Sequence, residues 1–214
     1  QFASMFGKKD HVVLLDCQSM EYQYFSLDTK GYQIILFDTG VKHALASSEY
    51  NMRRMECEMG VKLIQEKYPK VLSLKDANMQ LLNECVDEHL YPIVHSRCKY
   101  VIEEIERTQI ATQDLILKDL KAFGKKMFAT HEGLSKLYQV SCNELDVLID
   151  AVSDNENVIG ARMMGGGFGG CTINIVKDLH ANNIIEQVQK IYKEKTNKLL
   201  THYIVSIEDG VTIL

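Results

Sequence analysis

Residues 165 to 170 read Gly-Gly-Gly-Phe-Gly-Gly, and no other stretch of the 214-residue chain constrains the fold as tightly. Glycine loses more backbone freedom on ordering than any other residue, at roughly 0.5–1 kcal/mol relative to alanine in regular structure. A run of this kind marks positive φ angles or a backbone approached closely by something else. The glycines at 165, 167 and 170 formally satisfy G-x-G-x-x-G, yet a dinucleotide fingerprint needs them to end a strand and open a helix. Here the segments on both sides, Asn157 to Met164 and Cys171 to Val176, read as strands. No Lys-Ser/Thr follows the glycines, so the P-loop pattern fails as well. Two readings stay open at this level: a tight connection between strands, or a loop whose bare N–H groups lie beside a phosphate.

The rest of the chain supplies elements for that loop to join. His11 to Cys17, Glu21 to Leu27 and Tyr32 to Asp38 read as strands, with Asp28-Thr29-Lys30-Gly31 as turn chemistry between the last two. Their tight spacing predicts antiparallel neighbours. Helical stripes come next: Met52, Met55, Met59 and Leu63; then Val94, Cys98, Val101, Ile102 and Ile105; then Leu120, Phe123 and Met127. Each stripe is expected to face the core. Ser141 to Glu144 has capping-box spacing ahead of Leu145, Leu148 and Ile149. After the glycines, Ile184, Ile185, Val188, Ile191 and Tyr192 share one helix face. Thr201 to Ile207 and Val211 to Leu214 then read as a final strand or hairpin turning at Asp209-Gly210. The pattern is α+β: an antiparallel sheet with strands from both ends of the chain and helices packed on it.

Composition narrows the function classes. With 46% hydrophobic and 25% charged residues, the chain can bury a core without disulfides or metals. The net charge of −5 is spread out, with no basic stripe for nucleic acid, and no apolar run approaches a membrane span. The first residues lack a signal-peptide layout. Six cysteines stand far apart with no CxxC pair, which argues against a zinc site and for buried thiols in a reducing cytoplasm. The chain begins with Gln1 rather than Met, and the expectation is that a segment precedes it.

Four motifs in register resemble the galactokinase family of GHMP small-molecule kinases. Gly160-Ala-Arg-Met-Met-Gly-Gly-Gly-Phe-Gly-Gly-Cys171 looks like the third signature of those kinases. Val41 to Arg54, continuing to Cys57-Glu58, resembles the segment after the central strands, and Val140-Ser-Cys-Asn-Glu-Leu-Asp146 a third stretch. Gln1 to Ser4, running to Leu15-Asp16-Cys17, is similar to the segment just after the family's Met-Asp-Gln motif. The resemblance implies that residues 1–214 are a GHMP-kinase C-terminal domain, a ferredoxin-like α/β sandwich. Residues 1–40 would contribute strands at the junction with an N-terminal domain.

It further implies ATP- and Mg²⁺-dependent phosphorylation of galactose at its C1 hydroxyl, in the cytoplasm, through a site shared between two halves. The catalytic Asp would lie immediately before Gln1. This chain would then hold no catalytic base and no metal ligand, and would be inactive alone. Tyr50 matches the tyrosine that reaches the sugar pocket. Gly165, Gly166, Gly167, Phe168, Gly169 and Gly170 would shape the nucleotide site, with Phe168 as anchor. Arg162 could serve structure or the phosphates. Phe37 to His43 departs from the family's usual run, which puts the sugar range in doubt, and His43 receives no catalytic role. Asp16, Asp38 and Glu49 are expected to be turn-capping or solvated carboxylates. The exposed junction could also support a dimer. A sugar-sensing module without chemistry is the competing reading. A nicotinamide-dependent dehydrogenase conflicts with the strands around the glycines.

Overall fold

The structure is a computed structural model describing residues 2–41 and 46–211. A short helix α1 (Phe2–Phe6), which the sequence pattern does not announce, leads into β1 (His11–Leu15) and β2 (Tyr22–Ser26). These two pair antiparallel, with Val13 opposite Tyr24, as a sheet of their own. The turn at Asp28 to Gly31 forms, with the Lys30 N–H donating to Asp28 Oδ1 at 3.0 Å and Gly31 at φ +82°. It delivers the chain into a different sheet, however. β3 (Tyr32–Asp38) does not pair with β2, contrary to the expectation from spacing. The reason lies in composition: β2 keeps Tyr22 and Tyr24 exposed, whereas β3 buries Ile34, Ile35 and Phe37 and needs a neighbour on each edge.

Those neighbours come from the second half of the chain. β4 (Val158–Met163), β5 (Cys171–Lys177) and β6 (Thr201–Val205) join β3 in the order β4-β5-β3-β6, antiparallel throughout. On one face, α6 (Asn143–Ser153) and α7 (Ala181–Thr196) bury Leu148, Val152, Ile184 and Val188 against Ile35, Phe37 and Val176. On the other face, α5 (Leu120–Glu132) lays Met127 and Phe123 on Ile159 and Ile175. A side chain at Gly124 would put its Cβ 1.9 Å from the Ile159 carbonyl oxygen, and one at Gly160 2.5 Å from the Gly124 Cα. The two glycines therefore set how close α5 lies to the sheet.

The remaining helices, α2 (Ala46–Lys67), α3 (Met79–Cys85) and α4 (Pro92–Ile116), enclose a separate cluster of Ile64, Leu82, Val86, Val94, Cys98 and Ile102. Here the methionine stripe is corrected: Met52, Met55 and Met59 face solvent, Met55 at 66% exposure. α2 turns Arg53, Cys57, Gly60 and Ile64 inward instead. α4 crosses it at Gly60, where an added Cβ would sit 2.2 Å from Cys98 Sγ. That close crossing, not the apolar count, decides which face is buried.

Three other expectations change. The cysteines are all free, but only Cys98 is fully buried and Cys17 is exposed. Ser141 does not cap α6, whose N-cap is Cys142 without a side-chain cap bond. The terminal residues form no hairpin among the described residues. Past β6 the chain returns to its own beginning, with hydrogen bonds from Lys9 N to Asp209 Oδ1 (2.8 Å), Gly210 N to Gly7 O (2.9 Å) and Val211 N to Ser4 O (3.0 Å).

Gly124→Ala is expected to lose about 2–3 kcal/mol in urea unfolding through overpacking at β4. Met55→Ala should stay within about 0.5 kcal/mol of the parent chain, and a larger loss there would restore the stripe to the core.

Candidate functional site

The glycine loop connects β4 to β5 as a closed turn, with the Met164 N–H donating to Cys171 O at 2.9 Å. Gly165, Gly167, Gly169 and Gly170 all adopt positive φ, and so does Phe168 at +56°. Phe168 is 6% exposed and packs with Val140, Leu145 and Met163, so burial of its ring opposes the strain of a left-handed non-glycine residue. Two glycines are fixed by contact: a Cβ at Gly167 would lie 2.0 Å from Val140 O, and one at Gly169 would lie 2.4 Å from Val41 O. Gly165, Gly166 and Gly170 have open space where a Cβ would stand. The loop thus has a held side and a free side.

Two anchors hold it. On the β3 side, Thr39 donates from N (3.0 Å) and Oγ1 (2.8 Å) to Gly170 O. The Tyr192 hydroxyl of α7 donates to Thr39 O at 2.9 Å, and burial pushes that hydroxyl up to about 12. On the other side, the Phe168 N–H donates to Val140 O at 2.6 Å. Val140 ends a strip that leaves the π-helical turn Gly133–Tyr138 through Gln139, a left-handed residue at φ +54°.

That strip is gripped by two arginines. Arg97, 3% exposed, donates through Nη1 to Leu137 O and through Nη2 to Gln139 Oε1 (2.6 Å). Its Nε donates to Glu56 Oε2 at 3.0 Å. Arg53 donates through Nε to Tyr138 O (2.7 Å) and through Nη2 to Gln139 O (3.1 Å), with Nη1 3.5 Å from Glu56 Oε2. Motif and periodicity give Arg53, Glu56 and Arg97 no role in the site. Arg97 nonetheless carries a visible signal, because it lies on the same helix face as Val94 and Val101, and an arginine in an apolar stripe needs acceptors inside the protein.

A third tie reaches β4 from below. The Met163 N–H donates to His131 Nδ1 at 3.2 Å, which leaves the ring proton on Nε2, 3.2 Å from Asp146 Oδ1. Asp146 also accepts from Ser141 (2.6 Å) and Ser135 (2.9 Å). Burial opposes its charge, yet the hydrogen bonds from His131, Ser141 and Ser135 together hold its carboxyl below the usual carboxylate range.

Of the residues singled out from the sequence, Asp38 precedes the Thr39 anchor, whereas Arg162 and Asp16 engage partners away from the loop. Tyr50 stands 47% exposed in the first turns of α2. It neighbours Tyr138, whose hydroxyl is pushed up by burial first and then by Cys57 and Tyr50 beside it. Arg162 sits on the sheet face opposite Ala161 and Met163. It donates to Met163 O at 3.1 Å and lines a cleft of about 290 Å³ with Glu104, Arg107 and Lys126. Asp38 caps a turn by accepting from Gly40 N at 2.9 Å. Asp16 accepts from Lys75 and from the amides of Gln18 and Ser19, which bring it down to about 2. Glu49 lies in the first turn of α2, and His43 lies outside the described residues.

Comparison with known proteins adds to this geometry. Residues 102–194 match the family described as GHMP kinases C terminal. A galactokinase from Thermotoga petrophila is 40% identical over 211 residues, which cover 99% of this chain and 57% of that protein. A crystal structure of Lactococcus lactis galactokinase complexed with galactose superimposes with a TM-score of 0.92 at 29% identity. That match covers 100% of this chain and 55% of the other. Residues 102–194 therefore match a GHMP-kinase C-terminal domain. An L. major mevalonate kinase, solved in complex with R-mevalonate, shares only the fold, at a TM-score of 0.52 and 16% identity. The chain therefore spans little more than half the length of the galactokinases it matches. Among the described residues no group of three or more His, Cys, Asp or Glu could hold a metal ion. No helix among them is long and apolar enough to cross a membrane.

Because the folded carboxyl of Asp146 is depressed, its contribution is present above the unfolded carboxylate range and is lost as pH falls through the folded value. Asp146→Asn should cost about 1–2 kcal/mol at pH 7. The difference from the parent chain should shrink below about pH 4. Urea unfolding across pH 3 to 7 checks this, and a constant difference would contradict it.

Proposed function

We propose that this chain is the galactose-kinase portion that closes the active site opposite an upstream region. The whole protein would transfer the ATP γ-phosphoryl group to the C1 hydroxyl of galactose in the cytoplasm. The observation that carries the reading is the glycine loop: strand–loop–strand, left-handed almost throughout, and anchored on one side while its other side is open. It supports a rigid backbone wall beside a phosphate, since N–H groups on an unencumbered loop edge suit an anion. Gly165 and Gly166 form that open edge, Gly167 and Gly169 lock it, and Phe168 anchors it. Tyr50 contributes a hydroxyl to the sugar from an exposed position on α2.

Catalysis of this type consists mainly of positioning reactants and stabilising charge. In this reading the chain supplies position, and the carboxylate that receives the hydroxyl proton comes from the upstream region. The engagement of Asp16 with Lys75, and of Asp38 with a turn amide, supports that division. Mg²⁺, when bound, neutralises phosphate charge. In this reading its ligands lie on the nucleotide and the upstream region. Phe2 and Phe6 stack, Tyr22 meets Phe2 and Tyr24 edge to face, and these rings at the small sheet are the apolar surface we assign to that contact. The same patch is where two copies of this chain would associate when the upstream region is lacking.

Galactose-dependent ADP release with Mg-ATP tests this reading. The chain is assayed alone and after mixing with the upstream part of the Thermotoga petrophila galactokinase. Silence alone and activity on mixing is the expected result. Turnover by the 214 residues alone would place the base within them. Silence of a mixture shown to associate would favour a sugar-sensing module. In the active mixture, Tyr50→Phe should raise KM for galactose about 5- to 10-fold and leave KM for ATP unchanged.

A further inference from the structure

We propose that Arg53 is a positioning residue that couples the sugar side of the site to the nucleotide side through three consecutive carbonyls. Its guanidinium donates to the carbonyls of Tyr138 and Gln139, at 2.7 and 3.1 Å. The next carbonyl, Val140 O, receives the Phe168 N–H at 2.6 Å and is the atom against which Gly167 has no room for a side chain. Tyr50 precedes Arg53 by three residues on α2, so the two lie on adjacent turns of one face. The sugar-side tyrosine and the nucleotide-side loop therefore take their positions from the same short strip.

The strip itself has little freedom. The Val140 N–H donates to Leu134 O at 3.0 Å, and Arg97 fixes Leu137 O and the Gln139 side chain. Gln139 is held left-handed, a conformation that persists only where surroundings impose it. With so many bonds the strip moves as a unit or stays still, and displacement at its Arg53 end is passed to Phe168. The Arg53 side chain is 12% exposed, so water cannot readily replace the carbonyls it holds. Arginine suits the place because its planar fork reaches two acceptors at once. Lysine would supply a single point donor. Glu56 lies between Arg53 and Arg97 and keeps the two cations from repelling across the strip.

The two substrates rest on the galactokinase reading, whereas the mechanical link from Arg53 to the loop does not. Two measurements separate them. Amide hydrogen exchange on the 214-residue chain compares Arg53→Lys with the parent. The expected result is about tenfold faster exchange at Phe168, with the paired amides of Ile35 and Ile175 unchanged. In the active mixture of the two parts, Arg53→Lys should raise KM for galactose and for ATP about fivefold each. Tyr50→Phe should raise only the former, and Gly166→Ala, on the open edge of the loop, only the latter. Loop exchange that does not change, or changes only along with the whole chain, would reduce Arg53 to a stabilising residue and overturn the proposal. Accelerated loop exchange with both KM values unchanged would overturn the coupling of the two substrates. Should the mixture be silent, the exchange measurement still decides the link.

Discussion

A guanidinium removed from water must find its hydrogen bonds within the protein, and Arg97 finds them in groups from two separate elements. Leaving such a charge unmatched would cost several kcal/mol, so its acceptors are fixed in place: Glu56 on α2, and Leu137 O and the Gln139 side chain on the turn before α6. The consequence is organisational. α2 and α4 belong to a helical cluster with its own apolar centre, while the glycine loop belongs to the sheet. The arginine network joins the two bodies at the place where the candidate site lies. Apolar packing holds each body together, and these directional bonds reinforce the seam where α4 packs along α5 and the turn after it.

The sequence revealed the parts of this arrangement that local chemistry decides. The glycine run was legible because nothing but backbone conformation explains five glycines in six positions, and the apolar runs on either side declared its flanks to be strands. Runs such as Ile34 to Phe37 declared strands as well. Choices that depend on a distant partner stayed hidden. Nothing between residues 20 and 40 says that β3 will leave β2 for β5, since that depends on a strand more than a hundred residues away. The methionines of α2 were the natural apolar stripe until Gly60 met Cys98. Ser141 was a plausible cap until Asp146 took its hydroxyl. The site divides in the same way: Tyr50 and the loop came from motifs, whereas the grip of Arg53 and Arg97 on carbonyls some 40 to 85 residues away could not be read along the chain.

The loop shows why glycines in one motif are not equivalent. At Gly167 and Gly169 the fold itself forbids a side chain, because carbonyls of Val140 and Val41 occupy its place. At Gly165 and Gly166 no protein atom stands there, and the reason for glycine must be sought in conformation or in what comes to occupy that space. The first pair answers to folding, whereas the fold places no neighbour against the second.

The bonds that tie residues 4 to 9 to residues 209 to 211 close the described chain into a ring. A load applied along the backbone at either end falls first on these few exposed bonds, arranged to open one after another, while the four-stranded sheet stays slack. Anything attached ahead of residue 2 is therefore braced by residues 209 to 211, and a pull on either side of this tie reaches the other side before it reaches the core.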